Sequence, residues 1–248
     1  MIVSLIIGRG GSTGVPGKNV KNVLGRPLMT YPIMAAKNTT RISKIFVSTD
    51  SDEMKSIARQ NGCEVIDRPS YLATKEALAE DAYLHGYEEI VKRIGEVPSI
   101  LVLLFCNSPT ILPSTIDIGI DKLLNDESYD SAVTTSIYNM YSPLRARKVD
   151  TSGNLVPFIN PKEFDGASCD RDSQGDTYFA DCSAFIVRPR CFDFEVYGEI
   201  PFRWIGKKVF PIKQSGGCDV DNLWQLGHVE FWLKENGFRD ESTPYDES

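Results

Sequence analysis

Ile2 to Ile7 form a nearly continuous apolar run, the pattern of a strand buried on both faces, as in a parallel sheet. The period then becomes helical. Pro27 to Lys37 places Leu28, Tyr31, Ile33, Met34 and Ala35 at helix spacing, starting near Pro27, and a strand from Lys44 to Ser48 follows. Ser51 to Asn61 repeats the helical spacing through Met54, Ile57 and Ala58 and stops at Gly62, ahead of a short strand, Glu64-Val65-Ile66. Glu76 to Ile94 predicts a longer helix, Ser99 to Phe105 a second doubly buried strand, Thr115 to Leu124 a helix and Ser131 to Ser136 a strand. This alternation predicts an α/β fold: an open, mostly parallel, Rossmann-like sheet with helices on both faces.

Residues 138 to 178 break the rhythm, being rich in Tyr, Pro, Asp, Gly and Arg. They read as an insertion in a single domain spanning 1–248, serving as a lid, as a dimerisation segment or as a surface excursion with neither role. Strands return at Ser183 to Val187 and Lys208 to Pro211, and a helix from Leu223 to Asn236 stops at Gly237.

Composition narrows the partner. The 248 residues are 42% hydrophobic, enough for a real core, and 34 acidic against 27 basic side chains leave a net charge of -7. That balance argues against a broad nucleic-acid surface and for a small ligand. No apolar run reaches the roughly 18 residues a membrane helix needs, and no charged leader precedes the first strand, so the expectation is a soluble, cytoplasmic protein without a membrane partner. The six cysteines form no C-x-x-C pair and read as reduced thiols, while two histidines cannot build a His-rich metal site.

Candidate chemistry lies at the end of the first strand, in Gly8-Arg9-Gly10-Gly11-Ser12-Thr13-Gly14-Val15-Pro16-Gly17-Lys18-Asn19. A Walker A loop fails because Asn19 follows Gly17-Lys18 and Thr13 stands where the first glycine belongs. A dinucleotide fingerprint fails because Thr13 replaces the third glycine and Val15-Pro16-Gly17 interrupts any helix. What remains is a loop whose backbone N–H groups can approach an anion closely, bracketed by Arg9 and Lys18, a fork and a movable point charge suited to a triphosphate.

The stretch resembles the A-R-G-G-S-K-G-x-x-x-K-N signature of the acylneuraminate and 3-deoxy-manno-octulosonate cytidylyltransferases through Arg9, Gly10, Gly11, Ser12, Gly14, Lys18 and Asn19. The likeness continues in family order through Gly25-Arg26-Pro27-Leu28, Val47-Ser48-Thr49-Asp50, Arg68-Pro69, Leu72-Ala73, Ser108-Pro109 and Asp219-Val220-Asp221. It implies a nucleotidyltransferase fold, a homodimer, and transfer of CMP from CTP to the anomeric hydroxyl of an acidic sugar with release of pyrophosphate. It further implies that Arg9 and Lys18 hold the phosphates as catalytic cations, that Gly10, Gly11, Ser12 and Asn19 support that loop, and that Arg68 and Ala77 lie near the cytidine. Asp219 and Asp221 would bind Mg²⁺; residues i and i+2 of an extended segment point to one side, which agrees, although a solvated Asp-x-Asp turn has the same sequence. Asp50 either faces the site or caps the helix after it.

Several positions depart from the sialic-acid members. Phe105-Cys106-Asn107 stands where they have Q-P-T, Lys75-Glu76-Ala77-Leu78-Ala79 where they have D-T-A-S-S, and Asp181-Cys182 where they have N-G; Gly8 replaces an alanine. Phe105, Asn107 and Asp181 are therefore the candidate sugar-facing residues, and an Asp at 181 would repel an acidic acceptor unless protonated or paired. Alternatives are a nucleotidyltransferase using another NTP or a different sugar or phosphonate acceptor, and a noncatalytic nucleotide- or sugar-binding protein.

Overall fold

The first apolar run forms strand β1 (Ile2–Ile7) in the middle of a sheet, and its one polar residue, Ser4, donates its hydroxyl to the Val102 carbonyl at 3.1 Å. The structure is a computed structural model and describes residues 1–11, 14–166, 168–170 and 172–246. After β1 come a hairpin of β2 (Asn22–Val23) and β3 (Arg26–Pro27), helix α1 (Thr30–Lys37), β4 (Lys44–Thr49), α2 (Asp52–Gln60), β5 (Glu64–Asp67), α3 (Ala79–Ile94), β6 (Ile100–Phe105) and α4 (Pro113–Asn125). The chain continues through β7 (Ser131–Ile137), the hairpin β8 (Arg147–Val149) and β9 (Leu155–Pro157), then β10 (Tyr178–Val187), β11 (Val209–Gln214) and α5 (Leu223–Glu235).

Seven strands make one sheet in the order β11-β7-β10-β6-β1-β4-β5, parallel throughout except for β10, which runs antiparallel to both neighbours. Side-chain alternation divides the core between its faces. Ile6, Val47, Val102 and Leu104 pack with α1, α2 and α4 through Ile33, Met54, Ile116 and Ile120. Val3, Leu5, Phe46 and Leu103 pack on the other face with Ala82, Tyr83 and Ile90 of α3 and with Trp204. A third cluster joins Val229, Trp232 and Leu233 of α5 to Val23, Leu28, Tyr31 and Val220. It draws the carboxyl-terminal region onto the loops after β1.

The parallel strands match the expected pattern; the differences lie at element ends. The first helix begins at Thr30, not near Pro27, because Leu24 (φ 44°) and Gly25 (φ 73°) turn the chain into the β2–β3 hairpin, which occupies Pro27. The third helix begins at Ala79, not Glu76; Leu78 is extended (φ -81°, ψ 149°), so Ala77 stays in a loop. The fourth begins at Pro113, which suits the first helical turn because proline has no N–H to leave unpaired there. Between 138 and 178 the chain carries the exposed β8–β9 hairpin, and β10 starts at Tyr178, five residues before Ser183. A register shift between Ala180 and Phe185, with Cys182 at φ 61°, hid its first half from period-two reading.

Candidate active site

After β1 the chain builds β4 and β5 on one side of it and then crosses to β6 on the other, so the strand order reverses between β1 and β6. Loops diverge at such a point and leave a crevice beyond the carboxyl ends of the strands. Here the crevice is a cavity of about 400 Å³, reached by Ile7 and Gly8 after β1, Phe105 and Asn107 after β6, and Arg68 after β5.

The glycine loop is held to its floor by close backbone approaches. A Cβ on Gly8 would stand 2.6 Å from the Cys106 sulfur and 2.7 Å from the Met54 methyl, so a cysteine at 106 fills the room an alanine at 8 would use. Gly10 N–H donates to Asp50 Oδ1 at 2.9 Å, and Ser51, not Asp50, caps α2 by accepting from Met54 N at 3.4 Å. The helix-cap alternative for Asp50 is thereby excluded. The Arg9 guanidinium donates to the Thr74 carbonyl, and Asn19 Nδ2 donates to the Arg9 carbonyl at 3.0 Å. Asn19 Oδ1 is buried without a hydrogen-bond partner among the described residues. Ser12 lies outside the described residues.

The two ends of the chain meet across this loop. Lys18 Nζ lies 2.6 Å from Asp221 Oδ1, and a Cβ on Gly14 would come within 2.5 Å of the Asp221 carbonyl. Residues 218–220 are in turn strapped to the turn after β6. Val220 N–H donates to Asn107 O at 2.8 Å and Asn107 Nδ2 donates to Val220 O at 3.1 Å. Thr110 Oγ1 accepts from Cys218 N at 2.8 Å and donates to Cys218 O at 3.1 Å. With Val220 wholly buried in the third cluster, Asp219 and Asp221 both line the cavity, as the alternation of an extended segment requires. Burial, and then the Asp221 carboxylate, push Asp219 up from the ordinary carboxylate range, while Lys18 pulls it down.

Arg68 is buried beneath the loop, donating to Ser48 O at 2.7 Å and to Ser48 Oγ at 3.3 Å, and burial is the main influence lowering its pKa. Ala77, Phe105 and Asn107 line the same cavity, as do Arg9, Gly11, Lys18 and Asn19. Cys182, Phe202 and Trp204 line it too, though nothing in their local pattern marks them; they arrive through the β10 bulge and a long connection. Gly10 sits behind the cavity as the Asp50 partner.

Asp181 takes a different place. Its carboxylate, 6% exposed, accepts from Thr134 Oγ1 at 2.6 Å, Ser136 Oγ at 2.7 Å, Gln214 Nε2 at 2.9 Å and Ser183 N at 3.1 Å, tying the bulge of β10 to β7 and β11. All four donors are neutral groups, which hold the carboxylate in place. Asp181 borders a second cavity of about 490 Å³ that also contains Asp219. Among the described residues no cluster of three or more His, Cys, Asp or Glu side chains is placed to hold a metal. The Asp219–Asp221 pair offers the one or two hard carboxylates that Mg²⁺ takes when phosphates and water complete its shell.

The chain matches the family described as Cytidylyltransferase over residues 3–153. It is 28% identical to the post-translational flagellin modification protein B of Campylobacter coli, over 96% of this chain and 97% of that one. It is also 28% identical to N-acylneuraminate cytidylyltransferase A of Danio rerio, over 72% of this chain, and the match spans 41% of the fish protein's length. In fold it is similar to CMP:2-keto-3-deoxy-manno-octonic acid synthetase complexed with CTP, with a TM-score of 0.67 and 16% identity, covering 94% of this chain and 98% of that one.

Proposed function

The chain belongs to the cytidylyltransferase family, and from that premise we propose that it transfers CMP from CTP to the anomeric hydroxyl of an acidic 2-ulosonate sugar and releases pyrophosphate. The observation that carries the reading is the meeting of Lys18 with Asp221 at 2.6 Å, which puts the cationic loop and the aspartate pair on one cavity. Relatives named for acylneuraminate, pseudaminic acid and diacetyllegionaminic acid support the acceptor class.

Arg9, Lys18 and the backbone N–H of Gly11 grip the triphosphate, with Gly10, through Asp50, and Asn19 bracing the loop and Arg68 and Ala77 beside the nucleoside. The acceptor hydroxyl attacks in line. Its oxygen bonds to the α-phosphorus, the bond to the bridging oxygen breaks, pyrophosphate leaves with that electron pair, and the hydroxyl proton passes to water. The protein contributes position and charge: cations already fixed in the cavity oppose the negative charge that grows on the leaving oxygens. Asp219 and Asp221 are the residues that fit Mg²⁺, which when bound supplies Lewis-acid neutralisation of phosphate charge. Two carboxylates facing one cavity, one pushed up by burial and by its neighbour, are what a bound cation relieves.

The test is pyrophosphate release with each of the four NTPs against a panel of 2-ulosonates. Release with CTP and an acidic sugar is expected. Release with another NTP moves the nucleotide assignment, and tight nucleotide binding with no release for any pair replaces the enzyme with a binding protein. The β8–β9 hairpin, with Val149 and Leu155 about 70% exposed, supports a homodimer built through 138–178. Light scattering of Val149→Asp/Leu155→Asp is then expected to give a monomer. No described helix is long and apolar enough to cross a membrane, and the use of CTP favours the cytoplasm.

A further inference from the structure

Gly25-Arg26-Pro27-Leu28 stands in the family's order of motifs, yet no residue of it lines either cavity. The stretch forms the turn and second strand of the β2–β3 hairpin, which follows the phosphate loop directly. Two backbone bonds fold the hairpin back onto that loop: Leu28 N–H donates to Lys21 O and Met29 N–H to Asn19 O, both at 2.9 Å. Lys18 opens a single 3-10 turn, Lys18–Val20, and among the described residues its ammonium has Asp221 as its one partner. At its far end the hairpin is tied to the chain beyond α5. Arg26 Nη1 donates to Leu24 O at 2.9 Å and to Arg239 O at 2.7 Å. The Asp240 carbonyl lies so close to the turn that a Cβ on Gly25 would stand 2.5 Å from it. Phe238, 1% exposed, packs edge to face with Tyr31 at 5.4 Å and with Tyr245 at 5.6 Å. The Arg239 guanidinium closes the end of α5 on the Lys234 and Phe238 carbonyls at 2.8 and 2.7 Å, which fixes the carbonyl that Arg26 holds.

A closed path results. From Lys18 it runs along the hairpin to Arg26, across to Arg239, back along α5 to its cap, and from Asp221 to Lys18 again. The two arms are not equally secured. Asp221 has grips of its own, since its N–H donates to Gln225 Oε1 in the cap of α5 at 2.8 Å and the segment before it is strapped to Asn107 and Thr110. Lys18 depends on the hairpin. Packing of Val23 and Leu28 with Val229 and Leu233 holds the hairpin against α5, but apolar contact is non-directional and tolerates sliding, whereas hydrogen bonds fix register. We propose that Arg26 is a positioning residue for transfer: by anchoring the hairpin turn to the chain beyond α5, it holds Lys18 where the triphosphate is gripped. The proposal rests on the transfer reading in taking Lys18 as the phosphate cation.

The test is a double-mutant cycle of Arg26→Met, which keeps an apolar stem and removes the donors, with Lys18→Ala. Pyrophosphate release with CTP, Mg²⁺ and a 2-ulosonate that supports it is read beside the melting temperature. Arg26→Met is expected to lower kcat at least about 10-fold, within what a displacement of about 1 Å at a reacting centre costs, and to leave the KM for the sugar unchanged. In Lys18→Ala, where the cation to be placed is missing, the same change should lower kcat less than about 2-fold. The melting temperature should fall by the same amount in both backgrounds, because the hydrogen bonds of Arg26 reach neither Lys18 nor Asp221. Arg26→Lys should restore kcat, since one nitrogen makes both bonds and an ammonium carries all its donors on one nitrogen. Unchanged kcat in Arg26→Met, an equal loss in both backgrounds, or no recovery in Arg26→Lys overturns the proposal. Calorimetry repeats the cycle without transfer: Arg26→Met should weaken CTP binding several-fold in wild type and not in Lys18→Ala. Coupling in affinity with no release from any acceptor sinks the transfer reading and keeps the positioning role; release without coupling does the reverse.

Discussion

Thr110→Val tests whether the strap beneath the aspartates serves chemistry as well as folding. Thr110 is wholly buried, and its hydroxyl bonds both the N–H and the carbonyl of Cys218, at 2.8 and 3.1 Å, with Ser183 Oγ at 3.3 Å. Valine keeps the shape and removes the hydroxyl, leaving the partly buried Cys218 N–H and carbonyl without that partner at a cost of about 1–3 kcal/mol. Taking about 2 kcal/mol, the melting temperature should fall by roughly 4–8 °C for a chain of this size. Asp219 is the next residue, so the loss of turnover should exceed what the melt explains; a displacement of about 1 Å at a reacting centre can cost about 100-fold. Pyrophosphate release across a Mg²⁺ titration should show lower kcat and a higher cation concentration at half-activation, with unchanged KM for the sugar. Thr110→Ser, which restores the hydroxyl, should recover both. A Thr110→Val protein with a lowered melt but wild-type turnover and Mg²⁺ requirement would refute the reasoning.

Lys18→Ala removes a partly exposed ion pair worth about 0–1 kcal/mol to folding, so the melt should shift by no more than about 4 °C. Turnover should nevertheless drop about 100- to 1,000-fold, as for loss of one preorganised charge on the leaving oxygens; near-normal kcat would end the phosphate assignment. Gly14→Ala drives a methyl against the Asp221 carbonyl and should part the glycine loop from the aspartates. A cost of about 1–3 kcal/mol is expected in denaturant melts, with at least about 10-fold lower kcat. Asp181→Asn puts amide hydrogens where the carboxylate accepts from Ser136 and Gln214, so urea unfolding should show a loss of at least about 2 kcal/mol while CTP affinity, read by calorimetry, holds. Wild-type stability in that variant would mean the carboxylate is not what ties β10 to its neighbours.

The sheet was legible where burial on both faces leaves no choice of residue. Ile2–Ile7 and Ile100–Phe105 each read as buried strands because parallel strands covered by helices exclude polar side chains almost completely. Helix starts were less legible, since an apolar period continues through Pro27 and Glu76 although the backbone there is extended or turned. A Leu24-Gly25 turn carries no local signal for its leucine, whose positive φ is imposed by the packing of the hairpin under α5. The first half of β10 was hidden for a similar reason, because the bulge that breaks its alternation is held by distant residues, Thr134, Ser136 and Gln214, through Asp181.

The linear chain by itself determined the chemical inventory: a glycine loop free to approach an anion, two cations bracketing it, and two acids spaced to share one side of an extended segment. Those properties follow from side-chain type and spacing, and folding does not alter them. Only the tertiary structure decided that the inventory forms one site. Contact between residues 18 and 221 depends on α5 burying Val220, Val229 and Leu233 against the β2–β3 hairpin, and on Asn107 and Thr110 gripping the aspartate segment from β6. It also gave Asp181 four donors, three of them from β7 and β11, so that its carboxylate ties β10 to its neighbours while bordering the second cavity. Such long-range packing and hydrogen bonding joins residues far apart in the chain, so local periodicity carries no record of it.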